Sequence, residues 1–269
     1  MKFNQKLLNR VKEKKSNLCI GLDPEFEKLP GFIQKEKEPL YKFCKEIIET
    51  TFEYAVAYKP NIAFFERFGS NGIHQFEKTI NFIREKDKEV LIVGDVKRGD
   101  LANTSKEYAK YYFDDIKLDS ITVSPYMGKD SIEPYLDAGG HIFLLCLTSN
   151  PGSKDFQYFK NENNKFFYEI IASEIQSMNK FYPDQLGLVV GATHVGELKK
   201  IRDLTPDLSL LIPGYGAQGG KLEDLMPISG HLSLINSSRS IIFSSIEKNF
   251  AGKAREASFK ISQEMKIYF

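Results

Sequence analysis

Short apolar runs alternate with amphipathic stretches along most of the chain. The runs lie at 18–22, 55–59, 90–95, 120–124, 141–147, 186–190, 208–213 and 232–236, and helical periodicity fills 40–54, 72–86, 104–113, 131–138, 166–179, 195–204 and 253–266. Near-continuous apolar runs of strand length are typical of parallel sheets covered on both faces. Eight of them with helices between predict an α/β fold, a (β/α)8 TIM barrel, with its site where the carboxyl ends of the strands converge. An open doubly wound sheet is the runner-up, because a strand count does not establish closure. No repeat or Pro/Gly/Ser linker divides the chain, so residues 1–269 are expected to form a single domain. Two long connections, 23–39 and 150–165, follow strands at that same end, where long loops tend to carry function.

Composition narrows the function classes. With 42% hydrophobic and 27% charged residues among 269, the chain can bury a sizeable core, and global disorder is excluded. Lys plus Arg (37) balance Asp plus Glu (36), so no overall field draws the protein to nucleic acid or an acidic membrane. Any anion site must be local. No apolar run reaches membrane-spanning length, and the first ten residues hold no sustained apolar region of the kind a signal peptide needs. Cys19, Cys44 and Cys146 lack the paired spacing of a zinc site or disulfide framework and read as core residues in a reducing compartment. His74, His141, His194 and His231 have no metal-ligand spacing, so no metal is expected. Lys12 to Lys15 reads as a solvated helix face, and neither a Walker-type loop nor a dinucleotide fingerprint occurs.

Polar residues gather where the apolar runs stop. Asp95 and Lys97, two apart at the end of a strand, project to one side, and Asp100 follows in the loop, which sets an ammonium between two carboxylates. Asp23, Lys59, Asn61, Ser149, Gln218 and Arg239 end other runs, and in a barrel Lys59 would join the cluster as Lys-Asp-Lys-Asp. A lysine among carboxylates keeps its proton, which suits Lys97 as a proton donor rather than a nucleophile. The carboxylates read equally as structural counter-ions. A second constellation is Pro213-Gly-Tyr-Gly-Ala-Gln-Gly-Gly220 followed by Asn236-Ser-Ser-Arg239. Glycine-rich backbone lets N–H groups approach an anion, and arginine adds a forked donor, so two such loops late in a barrel predict a phosphorylated substrate.

Cys19-Ile-Gly-Leu-Asp-Pro24, Lys59-Pro-Asn-Ile-Ala-Phe-Phe-Glu66, Asp95-Val-Lys-Arg-Gly-Asp100 with Asn103-Thr104, Pro125-Tyr-Met-Gly128, Thr148-Ser-Asn-Pro-Gly152, Gly191-Ala-Thr193, the 213–220 loop and Ser238-Arg239 occur in order along the chain. Together they resemble the orotidine 5'-phosphate decarboxylase family, more narrowly its longer bacterial-type subgroup. The resemblance implies loss of the C6 carboxylate of orotidine 5'-monophosphate (OMP) to give uridine 5'-monophosphate (UMP) and carbon dioxide, the last step of de novo pyrimidine nucleotide synthesis, with no metal or organic cofactor. It implies catalytic roles for Lys59, Asp95, Lys97 and Asp100, with Lys97 protonating C6 and Asp100 supplied across a dimer interface. Asp23, Asn61 and Lys59 would hold the ribose, with Thr104 reaching it from the partner subunit. Ser149 would contact the pyrimidine, Pro213 would line the site, and Gln218, Arg239 and backbone near Ser238 would grip the phosphate. A monofunctional cytoplasmic homodimer, with neither nucleic acid nor membrane as partner, is the expectation. Two alternatives stay open: a metal-dependent decarboxylase or aldolase of a sugar phosphate, which also uses a D-x-K-x-x-D strand, and a silent nucleotide-binding protein that has kept the pocket. Tyr215 is a bulky choice for a turn.

Overall fold

The computed structural model describes residues 2–216 and 219–269. Its strands are β1 (Leu18–Leu22), β2 (Ala57–Pro60), β3 (Leu91–Arg98), β4 (Ser120–Val123), β5 (His141–Leu147), β6 (Leu186–Val190), β7 (Ser209–Pro213) and β8 (Ser233–Ser237). They pair in parallel in sequence order, and β1 pairs with β8 as well as with β2, closing the barrel. Cys19 lies opposite Ala57 on one side and Asn236 on the other, which decides between the barrel and the open sheet.

Each expected run is a strand, shifted by at most a few residues, except that β3 continues past Asp95 to Arg98. Its register against β4 shifts between Gly94 and Arg98, so the strand is irregular just where its charged residues lie. The helices Pro39–Thr51, Gly69–Lys86, Lys129–Asp137, Phe167–Met178, Val195–Leu204 and Phe250–Lys266 fall near their expected places. The helix expected at 104–113 is α-helical over Ala102–Ala109 and continues as a π turn, Lys110–Asp115. Phe3–Lys14 and Leu222–Ser229 are further helices, the second containing Pro227.

Strand side chains alternate between the barrel axis and the surrounding helices. Ala57, Leu91, Val93, Phe143, Leu211 and Leu234 belong to the inner cluster, and Phe3, Leu7 and Val11, at helical spacing, join it from the first helix. Phe3 stacks on His141, the first residue of β5, so this helix closes the end of the barrel where the strands begin. Tyr58, Ile92, Leu144, Leu188 and Leu210 face the other way and pack in the outer cluster. Each large apolar side chain so buried stabilises the fold by about 1.5–3 kcal/mol. Two residues beyond the inner apolar positions the character changes: Lys59 follows Ala57, Asp95 follows Val93 and Asn236 follows Leu234. The axis is therefore apolar below and charged at the mouth.

The three cysteines are buried and unpaired, and burial pushes the Cys19 thiol up to about 12. Among the described residues no helix is long and apolar enough to cross a membrane. No group of three or more His, Cys, Asp and Glu side chains among them is placed to hold a metal ion.

Candidate active site

Asp95 is held at both oxygens. Lys59 Nζ donates to its Oδ2 and Lys97 Nζ to its Oδ1, each at 2.5 Å. Thr122 on β4 donates its hydroxyl to the same Oδ1 at 3.2 Å while accepting from the backbone N–H groups of Val96 and Lys97. Burial disfavours charge on both Lys59 and Asp95. The ion pair outweighs it, with Asp23 adding to the field at Lys59, so the Lys59 pKa rises above the usual lysine range. The two lysines hold the Asp95 carboxyl well below the usual carboxylate range. Lys59 is 5% exposed and Lys97 is 52% exposed, so Lys97 is the more solvent-accessible of the two cations.

Lys97 meets Asp95 by an unusual route. Its φ is +42°, a left-handed conformation that costs a non-glycine residue about 1–3 kcal/mol and that clusters at functional sites. The expectation that both groups point to one side holds, but through a bent strand rather than a regular one.

The second carboxylate does not join them within one chain. Asp100 lies past the strand end, where its Oδ1 accepts the Leu101 N–H, and among the described residues it forms no ion pair. Thr104, on the helix that follows, is exposed, and neither residue lines the cavity beside Lys59 and Asp95.

That cavity has a volume of about 350 Å³. Of the residues expected at the site, Asp23, Lys59, Asn61, Asp95, Pro213, Ser238 and Arg239 line it. Lys97 and Ser149 do not: Lys97 meets the cavity through its bond to Asp95, and Ser149 lies against Gly191 beyond β5. Gln218 falls outside the described residues. Glu25, Phe64, Asn236 and Phe243 line the cavity without having been singled out as site residues. Asn236 carried a signal, since it opens the Asn-Ser-Ser-Arg segment and shares strand parity with inward-facing Leu234. Thr122 carried none, because its hydroxyl finds Asp95 only through the β3–β4 register.

Two features prepare the far side of the cavity for an anion. Arg239 is exposed and forms no ion pair among the described residues. Gly21 on β1 lets Ser238 come close, since a Cβ there would fall 1.8 Å from the Ser238 hydroxyl. Buried Oδ1 atoms of Asp23 and Asn236 lack hydrogen-bond partners among the described residues, leaving acceptors for a ligand's hydroxyl or amide groups. Tyr215, at the base of the glycine-rich loop, donates its hydroxyl to Glu264 on the last helix at 3.1 Å, which accounts for a bulky residue in that turn.

The geometry thus sets two lysine ammonium groups on a buried carboxylate that lines the cavity, and Arg239, which forms no ion pair among the described residues, lines it too. Known proteins have similar sequences and the same architecture. The chain is 51% identical to orotidine 5'-phosphate decarboxylase of Leptospira interrogans over 100% of this chain and 98% of that one. It is 45% identical to the protein of that name from Porphyromonas gingivalis over 98% of this chain and 96% of that one. Among solved structures, Leishmania donovani OMP decarboxylase superposes with a TM-score of 0.82 at 34% identity, covering 99% of this chain and 100% of that one. With residues 16–253 also matching the family model, the chain belongs to the orotidine 5'-phosphate decarboxylase / HUMPS family.

Proposed function

We propose that the chain, as one domain, decarboxylates OMP to UMP without a metal or organic cofactor, using Lys97 as the acid. The observation that carries this reading is the grip of Lys59 and Lys97 on the two oxygens of Asp95 at the edge of a cavity that Arg239 shares. The C6–carboxylate bond breaks, carbon dioxide leaves, and its electron pair stays on C6, a carbon with no adjacent electron sink. A fixed ammonium compensates that charge best, because it is already oriented when the charge develops. Lys97 then gives C6 its proton and regains one from solvent. Asp95 lies near the departing carboxylate, where like charges raise the energy of the bound substrate.

Asp23 and Asn61 would hold the ribose, Ser149 the pyrimidine, and Ser238, Arg239 and Gln218 the phosphate, with Pro213 lining the site. Binding energy from the phosphate, far from C6, would help organise the charges around it. The names of the full-length relatives favour this substrate over a sugar phosphate.

Asp100 and Thr104 would act from a second subunit of a homodimer. The lack of an Asp100 ion pair among the described residues and the exposure of Thr104 support this, as do Leu101, Tyr126, Met127 and Phe156, large apolar side chains exposed on the segments after β3, β4 and β5. Three buried, unpaired thiols suit a cytoplasmic enzyme.

The decisive experiment follows the ultraviolet absorbance of OMP with purified protein in the presence of a chelator. Rapid loss is the expected result. No loss, or loss only when magnesium is restored, would overturn the reading in favour of a silent binder or a metal-dependent enzyme.

A further inference from the structure

Lys97 is held from two sides, and only one of them belongs to the charge array. Upstream, the Thr122 hydroxyl takes the N–H groups of Val96 and Lys97. Downstream lies Arg98, whose side chain leaves the strand on the opposite side and gathers three other elements. Its Nε donates to the Tyr112 hydroxyl at 3.0 Å, within the π turn, and its Nη2 to Glu66 at 2.6 Å, on the short helix after Lys59 and Asn61. The guanidinium lies over the ring of Tyr108 at 5.0 Å. Its carbonyl accepts from Ser124 at 2.7 Å, and next to it Gly99 packs so tightly that a Cβ would sit 2.9 Å from the Ser124 carbonyl oxygen. A residue held in the left-handed region persists only where its surroundings over-determine it. A planar fork that bonds two partners while stacking on a third supplies that constraint, and π turns recur near functional sites.

We propose that Arg98 is a positioning residue for the reaction: by tying the end of β3 to Glu66 and Tyr112, it holds Lys97 in the conformation that sets its ammonium on Asp95, which lines the cavity. This rests on the function proposed above. The test compares Arg98→Met, Arg98→Lys, Glu66→Gln and Tyr112→Phe with wild type in kcat and KM for OMP and in affinity for UMP. For Arg98→Met, kcat should fall by about tenfold to a hundredfold, the scale of a misplaced catalytic group, with KM and UMP affinity changed by less than about threefold. Arg98→Lys should recover part of the loss, and the two partner variants should each show a smaller fall in kcat alone. Values of kcat within about twofold of wild type in all four variants, or losses shared equally by UMP affinity, would overturn the inference. If Arg98→Met does not fold, Glu66→Gln and Tyr112→Phe decide. Absence of turnover by wild type would count against the proposed function instead. The inference would then be read from a crystal structure of Arg98→Met or Tyr112→Phe, in which Lys97 keeping φ near +42° would overturn it.

Discussion

Phe3 stacks on His141 with ring centroids 3.8 Å apart and planes within 16° of parallel, at the end of the barrel opposite the charges. Both imidazole nitrogens are engaged, Nδ1 with the Ser120 hydroxyl at 2.8 Å and Nε2 with the Ser209 hydroxyl at 2.9 Å. Burial drives the His141 pKa down to about 3.

That burial makes stability depend on pH. Folded His141 stays neutral down to about 3, whereas in the unfolded chain it takes a proton near the ordinary histidine value of 6.5. The unfolded state therefore binds more protons below 6.5, and the contribution present above that pH is lost as pH falls towards 3. Stability measured by urea unfolding should fall by about 1 kcal/mol per pH unit between roughly 6 and 4.5. Asp95 adds its own loss only as pH falls below its unfolded value of 3.8. His141→Gln should flatten the slope in the upper window; an unchanged slope would refute the assignment.

Lys97→Ala removes the exposed member of the array and leaves the buried Lys59–Asp95 pair. Turnover should fall by about a thousandfold or more, combining loss of the proton donor with loss of the fixed cation. The thermal midpoint should stay close to wild type, because Lys97 is half exposed. Retention of most of the turnover would remove Lys97 from the mechanism.

Arg239→Ala should act on binding. With no carboxylate partner among the described residues, Arg239 leaves no orphaned charge behind when removed. A charged hydrogen bond to phosphate contributes about 1.5–3 kcal/mol, so KM for OMP should rise by roughly tenfold to a hundredfold with little change in melting. Unaltered KM and kcat would place the phosphate elsewhere.

Gly21→Ala tests the same side through packing. The added methyl would collide with the Ser238 hydroxyl and come within 3.2 Å of Asn236 Oδ1. Overpacking of this kind costs about 1–3 kcal/mol, and the displaced Ser238 should raise KM for OMP. A variant as stable and as tight-binding as wild type would show that β1 and Ser238 separate at no cost.

Much of the architecture was legible because parallel strands buried on both faces leave apolar runs, and eight of these can be counted. Phe3–Lys14 was harder, since its surface is mostly polar; its signal was only the spacing of Phe3, Leu7 and Val11. Leu222–Ser229 was hidden by its brevity and by Pro227. At the site, Lys59, Asp95 and Lys97 could be grouped from strand ends alone. The hydroxyl of Thr122 and the fork of Arg98 depend on register and on a π turn, which no local pattern announces. Asp100 shows the limit from another direction: nearness in sequence to Lys97 suggested contact, yet the helix start at Ala102 carries it away.

The pairing of β1 with β8 joins residues more than two hundred positions apart. Asp23 leaves the first of these strands and Arg239 follows the last, so the site straddles the seam. A ribosome that has made everything through β7 has produced all three charged residues of the array but neither the closing seam nor Arg239. Contacts of such long range form late and slowly. A chain cut short before residue 233 is therefore not a weaker version of the enzyme, and quality control meets it as an open sheet with two unpaired edges.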